Sequence, residues 1–95
     1  MVTLHIEHGI SDLDTWMGAF GQFAEMRAGA GVRNEVVRQP VGDPRSIVID
    51  LDFDTVGDAE AFLGFLRGSV WSNPEASPAL EGQPEARIFE VVHQA

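Results

Sequence analysis

His5 and Asp50 form the polar pair in this sequence best placed for chemistry. Each sits midway along a segment of alternating residues, on the polar side of its row. If the two segments pair as antiparallel strands, cross-strand side chains come within about 5 Å. A carboxylate beside an imidazole fixes its tautomer and raises its basicity, the usual support for a general base. The same arrangement also describes a hydrogen bond at a subunit interface, or a solvated pair. Strand register decides among them.

Arg27 falls near the middle of an apolar helical stripe, one turn after Phe23. A guanidinium there can bind a carboxylate or phenolate. It can equally snorkel to solvent, or sit against the helix C-terminus. Trp16, Phe20, Phe23, Phe62, Phe65 and Trp71 could line a pocket for an aromatic substrate, since small-molecule pockets have apolar walls and few polar groups. Aromatic residues at helical spacing are core as well. Phe65 falls off its helix's buried stripe and faces a pocket, a partner subunit or water.

Other chemistries find little support. His5, His8 and His93 lack metal-ligand spacing, so no metal site is expected. Gly29-Ala30-Gly31 ends a helix and does not open one, so it is no phosphate loop. Ser46, Ser69 and Ser72 lack the strand-turn-helix setting of a nucleophile. With no cysteine in the chain, thiolates and disulfides are excluded. No cofactor is implied.

These residues need a scaffold, and periodicity supplies one. Val2 to His8 alternates, with Val2, Leu4 and Ile6 on one side, and predicts a half-buried strand broken by Gly9. Ser11 or Asp12 caps a helix whose stripe is Leu13, Trp16, Met17, Phe20, Phe23 and Ala24. Gly29 and Gly31 end it. Val32 to Gln39 alternates again, and the turn cluster Pro40-Val41-Gly42-Asp43-Pro44 joins it to the strand Ser46–Asp54 as a hairpin. A second helix opens near Thr55, with Val56, Ala59, Phe62, Leu63, Leu66 and Val70 as its stripe. Trp71 to Pro84 reads as loop, and Ala86 to Val92 as the last strand.

The fold class is therefore α+β, β-α-β-β-α-β, with a four-stranded antiparallel sheet and the first and third strands at its centre. Both helices cover the face bearing Leu4, Ile6, Ile47, Ile49, Leu51 and Phe53. The open face is expected to carry Thr3, His5, Glu7, Arg33, Glu35, Val37, Val48, Asp50 and Asp52. It is either solvated or a subunit interface.

Ninety-five residues suit one domain, 1–95, and a domain this small gains from burying more surface in a dimer. Acidic residues outnumber basic ones 15 to 6, for a formal charge of −9. That sign argues against nucleic acid and anionic membranes as partners. No apolar run approaches a membrane span, and the N-terminus lacks the pattern of a signal peptide, so a cytoplasmic protein is expected.

The sequence resembles the dimeric α/β-barrel superfamily, in particular its antibiotic-biosynthesis-monooxygenase type. The likeness rests on Asp12-Leu13-Asp14-Thr15-Trp16, Arg27-Ala28-Gly29-Ala30-Gly31-Val32, Asp43-Pro44, and Leu51-Asp52-Phe53-Asp54 ahead of Ala59 and Phe62. It spans nearly the whole chain and is strongest towards a bacterial branch of small proteins labelled "cyclase". The resemblance implies a homodimer in which two sheets stack into a barrel with helices outside. It also implies a ligand pocket between sheet and helices. Haem-degrading relatives use an asparagine, a tryptophan and a histidine; only Trp71 has a loose counterpart here.

Two functional readings follow. One is a small-molecule-binding homodimer acting as a cofactor-independent monooxygenase on an aromatic or polyketide-like compound, with cyclisation or isomerisation as other chemistries of the fold. There, either His5 is the base with Asp50 orienting it, or Arg27 anchors an acidic substrate. Those schemes use opposite faces of the sheet. The other reading is a non-catalytic binding or interaction module.

Overall fold

The alternating rows do form strands; the first and last run further than alternation alone predicts, and the middle two stop short of it. The computed structural model describes residues 1–95. Its elements are β1 (Val2–Ile10), α1 (Leu13–Gln22), α2 (Ala24–Gly29), β2 (Asn34–Arg38), β3 (Ser46–Phe53), α3 (Val56–Phe65), one π-helical turn (Leu66–Val70) and β4 (Leu80–Glu90). The sheet is antiparallel, ordered β2-β3-β1-β4, which is the expected ferredoxin-like arrangement with β1 and β3 central.

Gly9 does not break β1. It stays in the strand because β4 approaches it closely: a Cβ at Gly9 would stand 3.1 Å from the Glu81 carbonyl oxygen. The strand therefore reaches Ile10, which is fully buried. β4 begins at Leu80, well before the expected Ala86, and ends at Glu90. It tolerates Pro84 because it is an edge strand. Its pairing with β1 is shifted between Glu7 and Gly9, where a bulge takes up the extra residues.

The first helix is two helices. Asp12 caps α1, its carboxylate accepting from the Thr15 N–H at 2.8 Å. At Phe23 the backbone leaves the helical region, and the Phe20 carbonyl accepts a 2.6 Å hydrogen bond from the Arg27 guanidinium. A side-chain donor set into the ladder in this way is a recognised cause of a break. α2 ends in a Schellman motif: Val32 N–H donates to Arg27 O and Gly31 N–H to Ala28 O, with Gly31 at φ 101°. Within the expected stripes, Leu13, Met17 and Val56 turn out exposed, while Trp16, Ala59 and Phe62 are buried.

The core lies between helices and sheet. Leu4, Ile6, Ile47, Ile49, Leu51 and Phe53 all point into it, and none is more than 4% exposed. β2 corrects the expected open face. Glu35 pairs with Leu51 and Val37 with Ile49, so both belong to the helix-covered side. Asn34, Val36 and Arg38 take the open side. Adjacent valines at 36 and 37 gave alternation nothing to choose between. Arg33 lies before β2 and bonds Asp54 at 2.9 Å.

Candidate functional site

On the open face, β1 and β3 align Thr3 with Asp52, His5 with Asp50 and Glu7 with Val48. The His5–Asp50 pair forms, with Nδ1 2.6 Å from the Asp50 carboxylate. Nε2 lies 2.9 Å from Glu7. Arg38 donates to the other Asp50 oxygen at 2.8 Å. Ionised carboxylates accept only, so a carboxylate at each ring nitrogen favours the imidazolium form of His5. The Glu7 hydrogen bond does most to raise its pKa, burial opposes it, and Asp50 adds to the rise.

The helix side holds a cavity. Six of the seven residues expected to contact a substrate line it: Trp16, Phe20, Phe23, Arg27, Phe62 and Trp71. Phe65 does not. It borders a separate shallow groove between α2 and α3 and is 37% exposed. The cavity's walls are apolar at 14 of 18 positions, as a small-molecule site requires. Its enclosed part leaves about 80 Å³ for the centres of water-sized molecules; counting the mouth open to solvent, the empty space is about 650 Å³.

Arg27 does not snorkel. It is 5% exposed, its Nε donates to Glu35 at 2.5 Å, and its guanidinium carbon lies 3.5 Å from the centre of the Phe20 ring. Phe20 in turn stacks on Trp16 at 4.8 Å. A cation is thus built into an otherwise apolar wall, neutralised from β2 and fixed by an aromatic face.

Sequence reasoning missed His8. Its even position continues the buried row Leu4–Ile6, and that parity was the available signal. His8 is 9% exposed and lines the cavity. Its Nδ1 lies 2.8 Å from the Gly9 carbonyl oxygen. Burial lowers its pKa, partly offset by that carbonyl.

The two histidines act on stability in opposite directions. His5, raised in the fold, adds stability that is fully present below its unfolded value of about 6.5 and is lost as pH rises through the folded value. His8, lowered, adds stability that is present above about 6.5 and is lost as pH falls through its folded value. Thermal unfolding between pH 5 and 8 should therefore separate two variants. His8→Phe loses less on acidification than the wild type, and His5→Gln loses less on alkalinisation. Parallel profiles for all three proteins would refute both assignments.

No family model and no curated protein matches the sequence. Solved structures do match. A dimeric ferredoxin-like protein from an uncultured marine organism aligns with TM-score 0.71 at 12% identity, over 99% of this chain and 97% of its own. A candidate antibiotic biosynthesis monooxygenase from Bordetella bronchiseptica aligns with TM-score 0.76 at 10% identity, over 97% of each chain. SnoaB, a cofactor-independent oxygenase from Streptomyces nogalater, aligns with TM-score 0.73 at 15% identity, over 98% of this chain and 94% of its own. At these identities the likeness is one of fold. The chain has the ferredoxin-like fold shared by dimeric ferredoxin-like and antibiotic-biosynthesis-monooxygenase-like proteins.

Proposed function

We propose that residues 1–95 form one domain of a homodimeric α/β barrel whose helix-side cavity binds a flat aromatic compound with an acidic hydroxyl. On it the protein acts as a cofactor-independent monooxygenase. The observation that carries this reading is the cavity wall: the Trp16–Phe20 stack, Trp71, and one buried guanidinium at Arg27. Aromatic faces hold a planar ring, and a cation stabilises the anion formed when its hydroxyl ionises. Such an anion can pass an electron to dioxygen itself. One oxygen atom then enters the substrate, replacing two hydrogens at one carbon, and the other leaves as water. The substrate supplies all four electrons.

Dimerisation uses the open sheet face. Phe89, 45% exposed, pairs with Thr3 at one edge of this face, the half-buried Val36 and Val48 lie across it on β2 and β3, and His5, Asp50 and Arg38 between them are paired within the sheet. Phe89→Asp should weaken the dimer at least about 30-fold, the equivalent of a 2 kcal/mol hot spot. Sedimentation equilibrium reads this; an unchanged dimer would move the interface elsewhere.

The narrowness of the enclosed space supports a second reading, a non-catalytic binding module. Oxygen uptake with a tricyclic phenolic ketone discriminates the two. Stoichiometric uptake and a product heavier by one oxygen and lighter by two hydrogens support the oxygenase. Retention of the compound by the dimer in native mass spectrometry without uptake supports the binding module.

A further inference from the structure

We infer that His8 is the proton acceptor of the helix-side cavity, and that the compound it receives enters as a neutral aromatic bearing an acidic O–H. The inference rests on the ligand-binding reading above and deepens it.

The tautomer comes first. A carbonyl oxygen only accepts, so the 2.8 Å contact between His8 Nδ1 and Gly9 O places the hydrogen on Nδ1. Nε2 of the neutral ring then carries a lone pair. It has no hydrogen-bond partner in the protein, yet every fully buried side-chain nitrogen and oxygen atom does have one. Nε2 is therefore not sealed in the core. It belongs to a residue that lines the cavity.

The surroundings fit the role. Arg27 is the only other ionisable side chain lining the cavity. The Trp16–Phe20 stack connects the two: His8 lies 6.1 Å from the Trp16 ring, and Arg27 lies over Phe20. The two ionisable groups thus flank the aromatic pair, His8 on the Trp16 side and Arg27 on the Phe20 side. Burial keeps the imidazole neutral until a ligand arrives.

In the step itself the O–H bond breaks and the proton joins Nε2. The electron pair stays on the ligand oxygen. The imidazolium keeps its Nδ1 hydrogen bond to Gly9, and the cavity's net charge does not change. A ligand already anionic would leave the lone pair without a proton to take, which is why a neutral acid is the matching class.

The test uses two probes, 4-nitrophenol and nitrobenzene, with wild-type protein and His8→Phe. Nitrobenzene reports pocket binding alone. Nitrophenol reports phenolate by its visible absorbance. Phenolate is counted per bound nitrophenol, and on that count wild type converts at least about tenfold more than His8→Phe at pH 6, one pK unit of proton affinity. Equal phenolate in both proteins overturns the role of His8 and leaves the pocket standing. Failure of wild type to bind nitrobenzene overturns the pocket reading and this inference with it. Nitrogen-15 NMR of the wild type gives an independent check that needs no variant: a proton on Nε2 instead of Nδ1 overturns the proposal, and a pyridine-type Nε2 supports it.

Discussion

Glu35→Leu is expected to lower the unfolding free energy by about 2–3 kcal/mol. Removing one partner of a buried ion pair typically costs 3–5 kcal/mol because the remaining charge has lost its counterion. Arg27 is that remaining charge, 5% exposed and under an aromatic ring. The cost is set below the usual range because Glu35 itself is 39% exposed on its side chain, so water reaches part of the pair. For a domain of this size the loss corresponds to roughly 10–20 °C in Tm. The double variant Arg27→Met/Glu35→Leu should return to within about 1 kcal/mol of wild type, since replacing both members removes the stranded charge. The remaining deficit is the Phe20 carbonyl, which loses its guanidinium donor at the α1–α2 break. Urea denaturation of wild type, Arg27→Met, Glu35→Leu and the double variant gives the coupling energy. A single variant within 0.5 kcal/mol of wild type would show that Arg27 finds another partner.

Much of this architecture was legible from the residues. Period-two rows at Val2–His8 and Ser46–Asp54 placed the two central strands with His5 and Asp50 mid-strand on one face; the register, left open by the sequence, does pair them. The central strands are long, and one face is uniformly apolar, so a slip would have exposed the core. β2 was misread because five residues with valines at 36 and 37 satisfy either parity. Its face is decided by a partner 8 residues upstream, Arg27, whose charge draws Glu35 inward. The early start of β4 was hidden by Gly82 and Pro84, residues that mark turns in general but fit a bulged edge strand here. His8 was passed over because Gly9 looked like the end of the strand. Gly9 is there to admit Glu81, a long-range contact with no local signature.

The two polar groups of the sheet divide cleanly by face. On the open side, His5, Glu7, Asp50 and Arg38 bond one another, so their charges are spent within the sheet. Pairing these four lowers the desolvation cost of covering the face with a second sheet, while Arg87 and Glu85 on the same face have no ion-pair partner within the chain. On the covered side, His8 keeps an unused nitrogen and Arg27 has a single counterion. Unused hydrogen-bonding capacity in an apolar wall is what distinguishes a site from a core. This asymmetry supports the proposal of assembly on one face and ligand binding on the other, although both faces carry a histidine on β1.

Trp16→Ala is expected to cost about 3–4 kcal/mol, while its neighbour Met17→Ala changes stability by less than 0.5 kcal/mol. Helical spacing put both residues in one stripe, but Trp16 is 9% exposed and Met17 42%. Removing the indole strips Phe20 of its stacking partner and His8 of the ring 6.1 Å away. It also enlarges a space that the protein already keeps partly open. Two outcomes are physically possible for that space. If the surrounding residues collapse into it, the cost falls towards the low end of the range and added ligand has no effect. If the sheet and the Arg27–Glu35 pair hold the walls apart, the vacancy persists and free indole should refill it. A ligand at 100 times its Kd then restores about 2.7 kcal/mol, visible as a larger rise in Tm for Trp16→Ala than for wild type. The rescue is expected, because the walls are anchored on β1, β2 and β3, whose pairing does not depend on Trp16. Absence of rescue would mean that the aromatic wall is core packing and that the cavity does not recognise flat rings.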